Sequence, residues 1–331
     1  MNNTRRHMLR QLGRLGAGLG LAAVGLTAQA QSFPSRPVRI LTPFPAGAGP
    51  DAALRVLAEQ LSARWQQPVV VDNRTGGNGF IAVSAFRQGA ADGHDLILLD
   101  SNHITTHPST FAKLPYDVQR DFTPLAMILR TPFFITVAAD SPYKTAEDLV
   151  AAARAKPGAV TYGSWFIGSP GHIGALRLEK LKDVHMTHVP YRDFGQLYAA
   201  VSTREVDWAL GSAASAGPME RAGRIRFLAI AGPTRDPAYP NVPATAEIAS
   251  LKGFEVSAWA GLFAPKALPP ASRDKIAADI AAVMARPDIV ERNRSFGYEV
   301  PPLTPTAFAE LITRETNDWR PVIKSVDLRL D

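Results

Sequence analysis

Short apolar segments alternate with amphipathic ones from residue 38 onward, and this order constrains the fold more than any other feature of the chain. The strand-like segments are 38–42, 69–71 and 96–99, and the helix-like segments between them are 51–65 and 81–88. Within 51–65, Leu or Trp recurs at helical spacing. The order strand, helix, strand, helix, strand predicts an α/β fold with right-handed crossovers.

The same order repeats in the middle of the chain, so the sequence predicts two similar halves. Strands are predicted at 133–138, 160–162, 185–189, 206–210 and 226–230, and helices at 146–155, 171–181 and 196–202. Thr145 is the predicted N-cap of the first of these helices. The tail adds amphipathic helices at 271–284 and 305–325, around a strand near 298–300.

The first thirty residues, 1–30, have the pattern of a secretory signal peptide. A basic region precedes an apolar run from 15 to 26, and Ala28-Gln29-Ala30 forms a small-x-small cleavage site. The run is shorter than the ~20 residues of a membrane-spanning helix, although an uncleaved anchor is the alternative. Thr4-Arg5-Arg6-His7-Met8-Leu9 resembles a twin-arginine motif, so both the Sec and the twin-arginine export routes stay open.

Composition excludes several classes of function. The 331 residues include no cysteine, which excludes disulfides, thiolate metal sites and a catalytic Cys. Removal of the signal takes away four arginines and no acids, so the net charge falls from +6 to +2. Because no run of Lys or Arg exceeds two, we expect no nucleic-acid partner.

Small polar residues follow several of the predicted strands. In α/β folds a ligand binds beyond the carboxyl ends of the strands, near helix N-termini. Five such segments occur, at 43–51, 100–103, 163–172, 190–194 and 211–213. Their hydroxyl and backbone N–H donors, with glycines that let the backbone approach an anion, suit a small carboxylate.

The predicted ligand-binding residues come from these five segments. They are Phe44, Ala46, Gly47, Asp51, Ser101, Asn102, Ser164, Trp165, Phe166, Ser169, His172, Tyr191, Gly211 and Ser212. Asp51 is unexpected among these residues, since its negative charge would repel the carboxylate of a ligand. It either caps its own helix or holds a bridging water. The aromatic pair Trp165 and Phe166 fits either the core or a ligand wall, and its loop position favours the wall.

Other chemistry finds weaker support in the motifs. G-x-G-x-x-G does not follow the first strand, and no P-loop pattern occurs. His103 and His107 have the spacing of two metal ligands on one helical face, but Pro108 and the Thr-rich context disfavour a helix there. Ser169 and His172 are the candidate nucleophile and base of a hydrolase, although no G-x-S-x-G elbow surrounds Ser169.

An ordered set of short motifs resembles the Bug family, the periplasmic solute-binding proteins of tripartite tricarboxylate transporters. The motifs are Phe33-Pro34-Ser35-Arg36-Pro37-Val38, Pro43-Phe44-Pro45-Ala46-Gly47, Asp72-Asn73-Arg74, Asp92-Gly93, Lys113-Leu114-Pro115-Tyr116-Asp117, Asp121-Phe122, His188-Val189-Pro190-Tyr191 and Gly253-Phe254-Glu255-Val256. No single motif is decisive, but together they span nearly all of 33–331 in order.

The resemblance implies a two-domain periplasmic-binding-protein clamshell, each domain a mixed sheet flanked by helices. Domain 1 would comprise 33–132 and 253–331, and domain 2 would comprise 133–252. A small organic acid would bind in the cleft, with a carboxylate on the loop 44–49, often through ordered waters. Closure would deliver it to the membrane permease subunits of a tripartite transporter. The resemblance implies a periplasmic protein without reaction or cofactor, and the lack of an apolar surface stripe favours a monomer.

Two departures from the family pattern bear on the ligand. Trp165-Phe166-Ile167 stands where the family often has a small polar loop, and Gly211 stands where it often has Asp. Loss of that Asp argues against an amino group on the ligand, and the aromatic residues favour an aromatic carboxylate or dicarboxylate. An aliphatic dicarboxylate is the alternative, and a ligand-sensing adaptor for a membrane sensor is the alternative role.

Overall fold

The computed structural model describes residues 33–47, 49–165 and 167–330. The predicted signal peptide, 1–30, therefore lies outside the described residues. Within the described part of the chain, no helix is both long and apolar enough to cross a membrane.

The first sheet is a mixed sheet of five strands. Its strands are β1 (Val38–Thr42), β2 (Val69–Asn73), β3 (Asp95–Asp100), β4 (Phe122–Pro132) and β10 (Ser257–Pro265), in the order β2-β1-β3-β10-β4. β1 is parallel to β2 and β3, whereas β10 is antiparallel to β3 and β4. β3 is buried along most of its length, which explains its continuous apolar run.

Helices cover this sheet. They are α1 (Gly49–Trp65), α2 (Phe80–Arg87), the short α3 (His107–Thr110) and α4 (Val118–Asp121), and, from the tail, α9 (Pro270–Met284), α10 (Pro287–Ser295) and α11 (Pro305–Ser325). The predicted apolar face of α1 is buried, and Trp65 at its end donates from Nε1 to Asp279 on α9 at 2.7 Å. Each fully buried Leu on such a face contributes about 1.5–3 kcal/mol.

The second sheet repeats the plan of the first. Its strands are β5 (Phe134–Ala138), β6 (Thr161–Ser164), β7 (Thr187–Pro190), β8 (Trp208–Gly211) and β9 (Ile225–Ile230), in the order β7-β6-β8-β5-β9. Its helices are α5 (Ala146–Ala155), α6 (Pro170–Lys182), α7 (Phe194–Ser202) and α8 (Ala213–Arg221). Thr145 caps α5 in a capping box with Asp148, as predicted.

In both sheets, three neighbouring strands are parallel to one another. The other two strands lie beside them, and each pairs antiparallel with its neighbours. The chain leaves the first sheet at the end of β4 and returns to it in β10, so strands connect the two halves. The predicted α/β fold of two mixed sheets flanked by helices is confirmed. The domain boundaries at 132 and 253 stay a prediction.

The C-terminal helix joins the two halves through side-chain packing. Ile173 on α6 is buried in one cluster with Trp319, Val322 and Ile323 of α11. The guanidinium of Arg177, also on α6, lies 5.3 Å from the centre of the Trp319 ring. α11 therefore belongs to the hydrophobic contacts of both sheets.

Three expectations about secondary structure were incomplete or wrong. No strand forms at 298–300, where Glu299 makes only an isolated bridge to Arg130 and two prolines that lack N–H groups follow. Residues 102–110 are helical despite Pro108, as a π-helix (Asn102–Thr106) that continues into α3. The long antiparallel strands β4 and β10 were not predicted, because their pattern does not alternate.

Candidate ligand-binding site at the strand ends

The loop that follows β1 is held in place by Asp51, whose side chain is fully buried. Its carboxylate accepts hydrogen bonds from the Gly47 backbone N–H (2.8 Å), from Arg55 (2.8 Å) and from Asn73 Nδ2 (2.7 Å). Asn73 also donates to the Phe44 carbonyl at 2.9 Å. Burial alone would raise the pKa of Asp51, but these hydrogen bonds lower it below its usual value. Asp51 therefore orders the predicted carboxylate loop, and its charge is already paired.

Phe44, Ala46 and Gly47 form the exposed rim of this loop, with Phe44 half-buried. Gly47 needs its glycine because its φ is +81°, a conformation that L side chains rarely adopt. The Gly47 N–H already donates to Asp51 and is not available to a ligand, whereas the first N–H groups of a helix such as α1 have no partners within the helix.

Tyr298 covers the N-terminus of α1, and it was not among the predicted site residues. A Cβ on Gly49, the first residue of α1, would lie 1.9 Å from the Tyr298 hydroxyl oxygen. The phenol is therefore in close contact with the first turn of the helix. Burial raises the pKa of Tyr298, so the hydroxyl keeps its proton at neutral pH. The one available signal was the predicted strand near 298–300, which drew attention to the segment for another reason.

The end of β3 carries Ser101 and Asn102 into the π-helix. Ser101 is buried and Asn102 is half-buried. The Ser101 carbonyl accepts from Thr105 Oγ1 at 2.8 Å, and the Asn102 carbonyl accepts from Thr106 Oγ1 at 3.2 Å. The hydroxyls of Thr105 and Thr106 therefore satisfy two carbonyls at the start of the π-helix.

The end of β6 places Ser164 and Trp165 against the second core. Ser164 Oγ lies 2.8 Å from His188 Nε2. The Trp165 side chain is 9% exposed and its ring centre lies 5.5 Å from that of Phe133 and 4.8 Å from that of Phe194. Phe194 itself is 40% exposed. Phe166 lies outside the described residues.

Ser169 and His172 do not form a nucleophile–base pair. Ser169 is the N-cap of α6, and its hydroxyl accepts from the backbone N–H of His172 at 3.2 Å. The His172 ring accepts at Nδ1 from the Gly168 N–H at 3.0 Å and stacks on His188 with ring centres 4.0 Å apart. Burial, with a smaller contribution from His188, lowers the pKa of His172 to about 3. The neutral imidazole therefore holds the Gly168 backbone in place as a hydrogen-bond acceptor.

The remaining predicted residues, Tyr191, Gly211 and Ser212, lie at the ends of β7 and β8 in the second sheet. Tyr191 donates from its hydroxyl to Glu205 at 3.2 Å, and its backbone N–H donates to the Ser164 carbonyl. Ser212 is the N-cap of α8 and accepts from the Ser215 N–H at 3.1 Å. Gly211 is required by packing, because a Cβ there would lie 2.9 Å from the Tyr198 hydroxyl.

One short segment of the tail, Phe296-Gly297-Tyr298, touches both halves of the predicted site. Tyr298 contacts Gly49 at the start of α1, as described above, and a Cβ on Gly297 would lie 3.2 Å from Ala214 at the start of α8. The structure therefore brings the N-terminus of α1 and the N-terminus of α8 to the same segment. Helix N-termini carry partial positive charge, which favours an anion over a cation beside them.

Two similar mixed sheets, with polar strand ends and helix N-termini from both, define the class of the two-domain solute-binding proteins. The family model described as "Tripartite tricarboxylate transporter family receptor" matches residues 53–328. The chain belongs to this family, as its motifs predicted. The members of this family are receptors for substrates and not enzymes.

Relatives of known sequence or structure agree with that assignment. The chain is 34% identical over 321 residues to the UPF0065 protein in the tcbD-tcbE intergenic region of Pseudomonas sp. (strain P51), covering 96% of this chain and 95% of that protein. R. palustris Rpa4515 with adipate matches with a TM-score of 0.74 and 28% identity, over 88% of this chain and 97% of that one. MatC from Rhodopseudomonas palustris with bound malate matches with a TM-score of 0.71 and 29% identity, over 88% and 100%.

Proposed function

We propose that this protein binds a small carboxylate at the strand ends of its two sheets and delivers it to the permease of a tripartite transporter in the periplasm. The observation that carries the proposal is the meeting of the α1 and α8 N-termini at the segment 296–298. The adipate and malate held by two structural relatives support a carboxylate ligand.

The energetics require several weak contacts to act together. One helix N-terminus stabilises an anion by ~0.3–1 kcal/mol, and by ~2 kcal/mol where it is partly buried. Micromolar binding needs about 8 kcal/mol in total. Two helix ends, hydrogen bonds from neutral donors and apolar contact with the rest of the ligand therefore all contribute. Asp51 does not repel the ligand in this scheme, because Arg55 pairs its charge and two neutral donors occupy its oxygens.

The preference for an aromatic ligand rests on the apolar side chains beside the site. Trp165 presents only a small part of its ring, but it packs on the more exposed Phe194, and together they form an aromatic surface beside the end of β6. Each aromatic contact contributes ~0.5–1.5 kcal/mol beyond burial. We therefore favour an aromatic carboxylate or dicarboxylate, with an aliphatic dicarboxylate such as adipate as the second candidate.

The test is a thermal-shift series on protein purified from the periplasm after export of the full chain. Ligands at 100 times their Kd stabilise the folded state by about 2.7 kcal/mol. We expect a shift with terephthalate or adipate and no consumption of the acid. Phe194→Leu should weaken terephthalate more than adipate, whereas Leu181→Ala, a change at an exposed residue of α6, should affect neither. Absence of any shift across the acids would overturn the proposal.

Two further measurements test the export of the protein and its role in transport. The N-terminal sequence of the exported protein should begin at Gln31 if the signal is cleaved after Ala30. Uptake of the bound acid by whole cells should stop when the gene for this chain is deleted. Continued uptake together with loss of a transcriptional response to the acid would favour the sensing alternative.

A further inference from the structure

We propose that the carboxylate of Glu315, on α11, is a proton-sensitive switch at the junction of the two sheets. When ionised, it holds α6 against α11, and when protonated, it loosens that contact. The proposal goes beyond ligand binding, because it concerns how firmly the two halves are held together and needs no ligand. It rests on a cavity at the junction and on the contacts and charges of the residues that line this cavity.

The described chain crosses between the two sheets twice, at neighbouring places. β4 leads into β5 through Phe133, and the segment before β10 leads back from the second sheet to the first. The two crossings are hydrogen-bonded to each other, since the Phe133 backbone N–H donates to the Val256 carbonyl at 3.1 Å. Because both connections pass through this place, any change in the arrangement of the two halves acts on it.

Arg177 on α6 attaches the second half to the return crossing. Its guanidinium donates from Nη1 to the Glu255 carbonyl at 2.9 Å and from Nη2 to the Gly253 carbonyl at 3.2 Å. The same guanidinium lies over the Trp319 ring of α11, as described above. Arg177 therefore connects α6, the return crossing and the C-terminal helix, so a force on its charge acts on all three.

A cavity of about 290 Å³ lies at this junction and is lined from both halves. α6 contributes Arg177, β4 contributes Arg130, and α11 contributes Glu315. The Glu315 side chain is also bonded to the first sheet, because its Oε2 atom accepts a hydrogen bond from Trp259 Nε1 on β10 at 2.7 Å. Trp259 is fully buried, so this bond fixes the carboxylate at the wall of the cavity that Arg177 shares.

The charges around the cavity balance only while Glu315 is ionised. Among the described residues, six charged side chains line the cavity, three guanidiniums and three carboxylates. They are Arg130, Arg177, Arg314, Glu255, Asp318 and Glu315. Outside this lining, Glu299 Oε2 lies 3.9 Å from Arg130 Nη1. Protonation of Glu315 removes one negative charge and weakens the attraction that Arg177 feels across the junction.

Glu315 changes its charge close to neutral pH. Burial raises its pKa to about 7, although the Trp259 hydrogen bond and the charges of Arg130, Arg314 and Arg177 oppose the rise. Because a carboxyl group is charged above its pKa, Glu315 is about nine-tenths ionised at pH 8 and about nine-tenths protonated at pH 6. α6 is therefore held more firmly to α11 at pH 8 than at pH 6.

Distances between the two halves test the proposal, and the absence of cysteine from the chain makes specific labelling possible. Ala151→Cys on α5 and Ala282→Cys on α9 replace exposed alanines, and each cysteine carries a spin label. The full exported protein is measured without ligand by pulsed electron–electron double resonance at pH 8 and pH 6. We expect two populations of distances whose ratio changes about two- to fivefold, the range of a partly exposed ion pair.

Two variants show whether Glu315 is the source of the pH response. Glu315→Gln keeps an acceptor for Trp259 but takes up no proton, so at both pH values its distances should match those of the wild type at pH 6. Glu310→Gln, at an exposed residue of the same helix, should behave as the wild type does. Equal distances at both pH values in the wild type, or a pH response that persists in Glu315→Gln, would show the proposal to be wrong. Because no acid is added, neither result bears on carboxylate binding, which the thermal-shift series tests separately.

Discussion

The neutral, buried His172 makes folding stability depend on pH in a way that one substitution should remove. Its pKa is about 3 in the folded protein, because burial disfavours the charged ring. The unfolded chain has a histidine pKa near 6.5. Below pH 6.5 the unfolded state therefore binds a proton that the folded state does not. The stability contributed by His172 is fully present above pH 6.5 and is lost as the pH falls toward 3.

The size of the effect follows from the pKa difference. Each pH unit in this window removes about 1.4 kcal/mol of unfolding free energy per such histidine, so at pH 4.5 the loss is about 2.7 kcal/mol. His188 is stacked on His172, and burial lowers its pKa to about 4, so it adds a further loss over the same range, smaller because its ring is only partly buried. The total free energy of unfolding of a domain is about 5–15 kcal/mol. The effect is therefore easily measured.

His172→Asn is the informative variant. An Asn oxygen in place of Nδ1 can still accept the Gly168 N–H, but the side chain takes up no proton. Urea unfolding followed by Trp fluorescence at pH 7, 6, 5 and 4.5 should show a slope smaller than that of the wild type by about 1.4 kcal/mol per pH unit. His185→Asn is the matched control, because the His185 side chain is 75% exposed. An unchanged slope in His172→Asn would refute the reasoning.

Two further substitutions test the loop after β1 and the start of α1. Asp51→Asn places an amide N–H against one of the three donors that surround this buried carboxylate. We expect it to cost about 1–3 kcal/mol in urea unfolding and to weaken acid binding, whereas the exposed Asp140→Asn should do neither. Gly49→Ala introduces a Cβ 1.9 Å from the Tyr298 hydroxyl, so it should destabilise by about 1–3 kcal/mol. Tyr298→Phe removes that oxygen and should restore part of the loss in a double-mutant cycle, and additive effects would contradict the contact.

Local sequence patterns were sufficient to predict most of the helices and parallel strands. Leu54, Leu57 and Leu61 predicted the buried face of α1, and Thr145 predicted the start of α5. These features depend on periodicity and on capping, which involve residues close in sequence. The ordered motifs then identified the family, because each occurs at its expected place along the chain.

The candidate site was predicted only as a set of strand ends. Sequence placed Ser169 and Ser212 near a ligand, and the structure gives both hydroxyls a defined role as helix N-caps. Tyr298 was missed because it comes from the tail, more than two hundred residues after the helix it contacts. His103 was considered only with His107, and its contact with Asp100 inside a π-helical segment was not predicted.

By itself, the sequence determined the order of strands and helices, the family, and the polar residues at the strand ends, because these follow from local periodicity and from short motifs. Tertiary structure alone decided which of those residues meet. β10 follows all five strands of the second sheet in the chain and yet lies between β3 and β4 of the first, and the segment 296–298 reaches two helix N-termini. Such contacts depend on the packing of elements distant in the chain, and no local pattern records them.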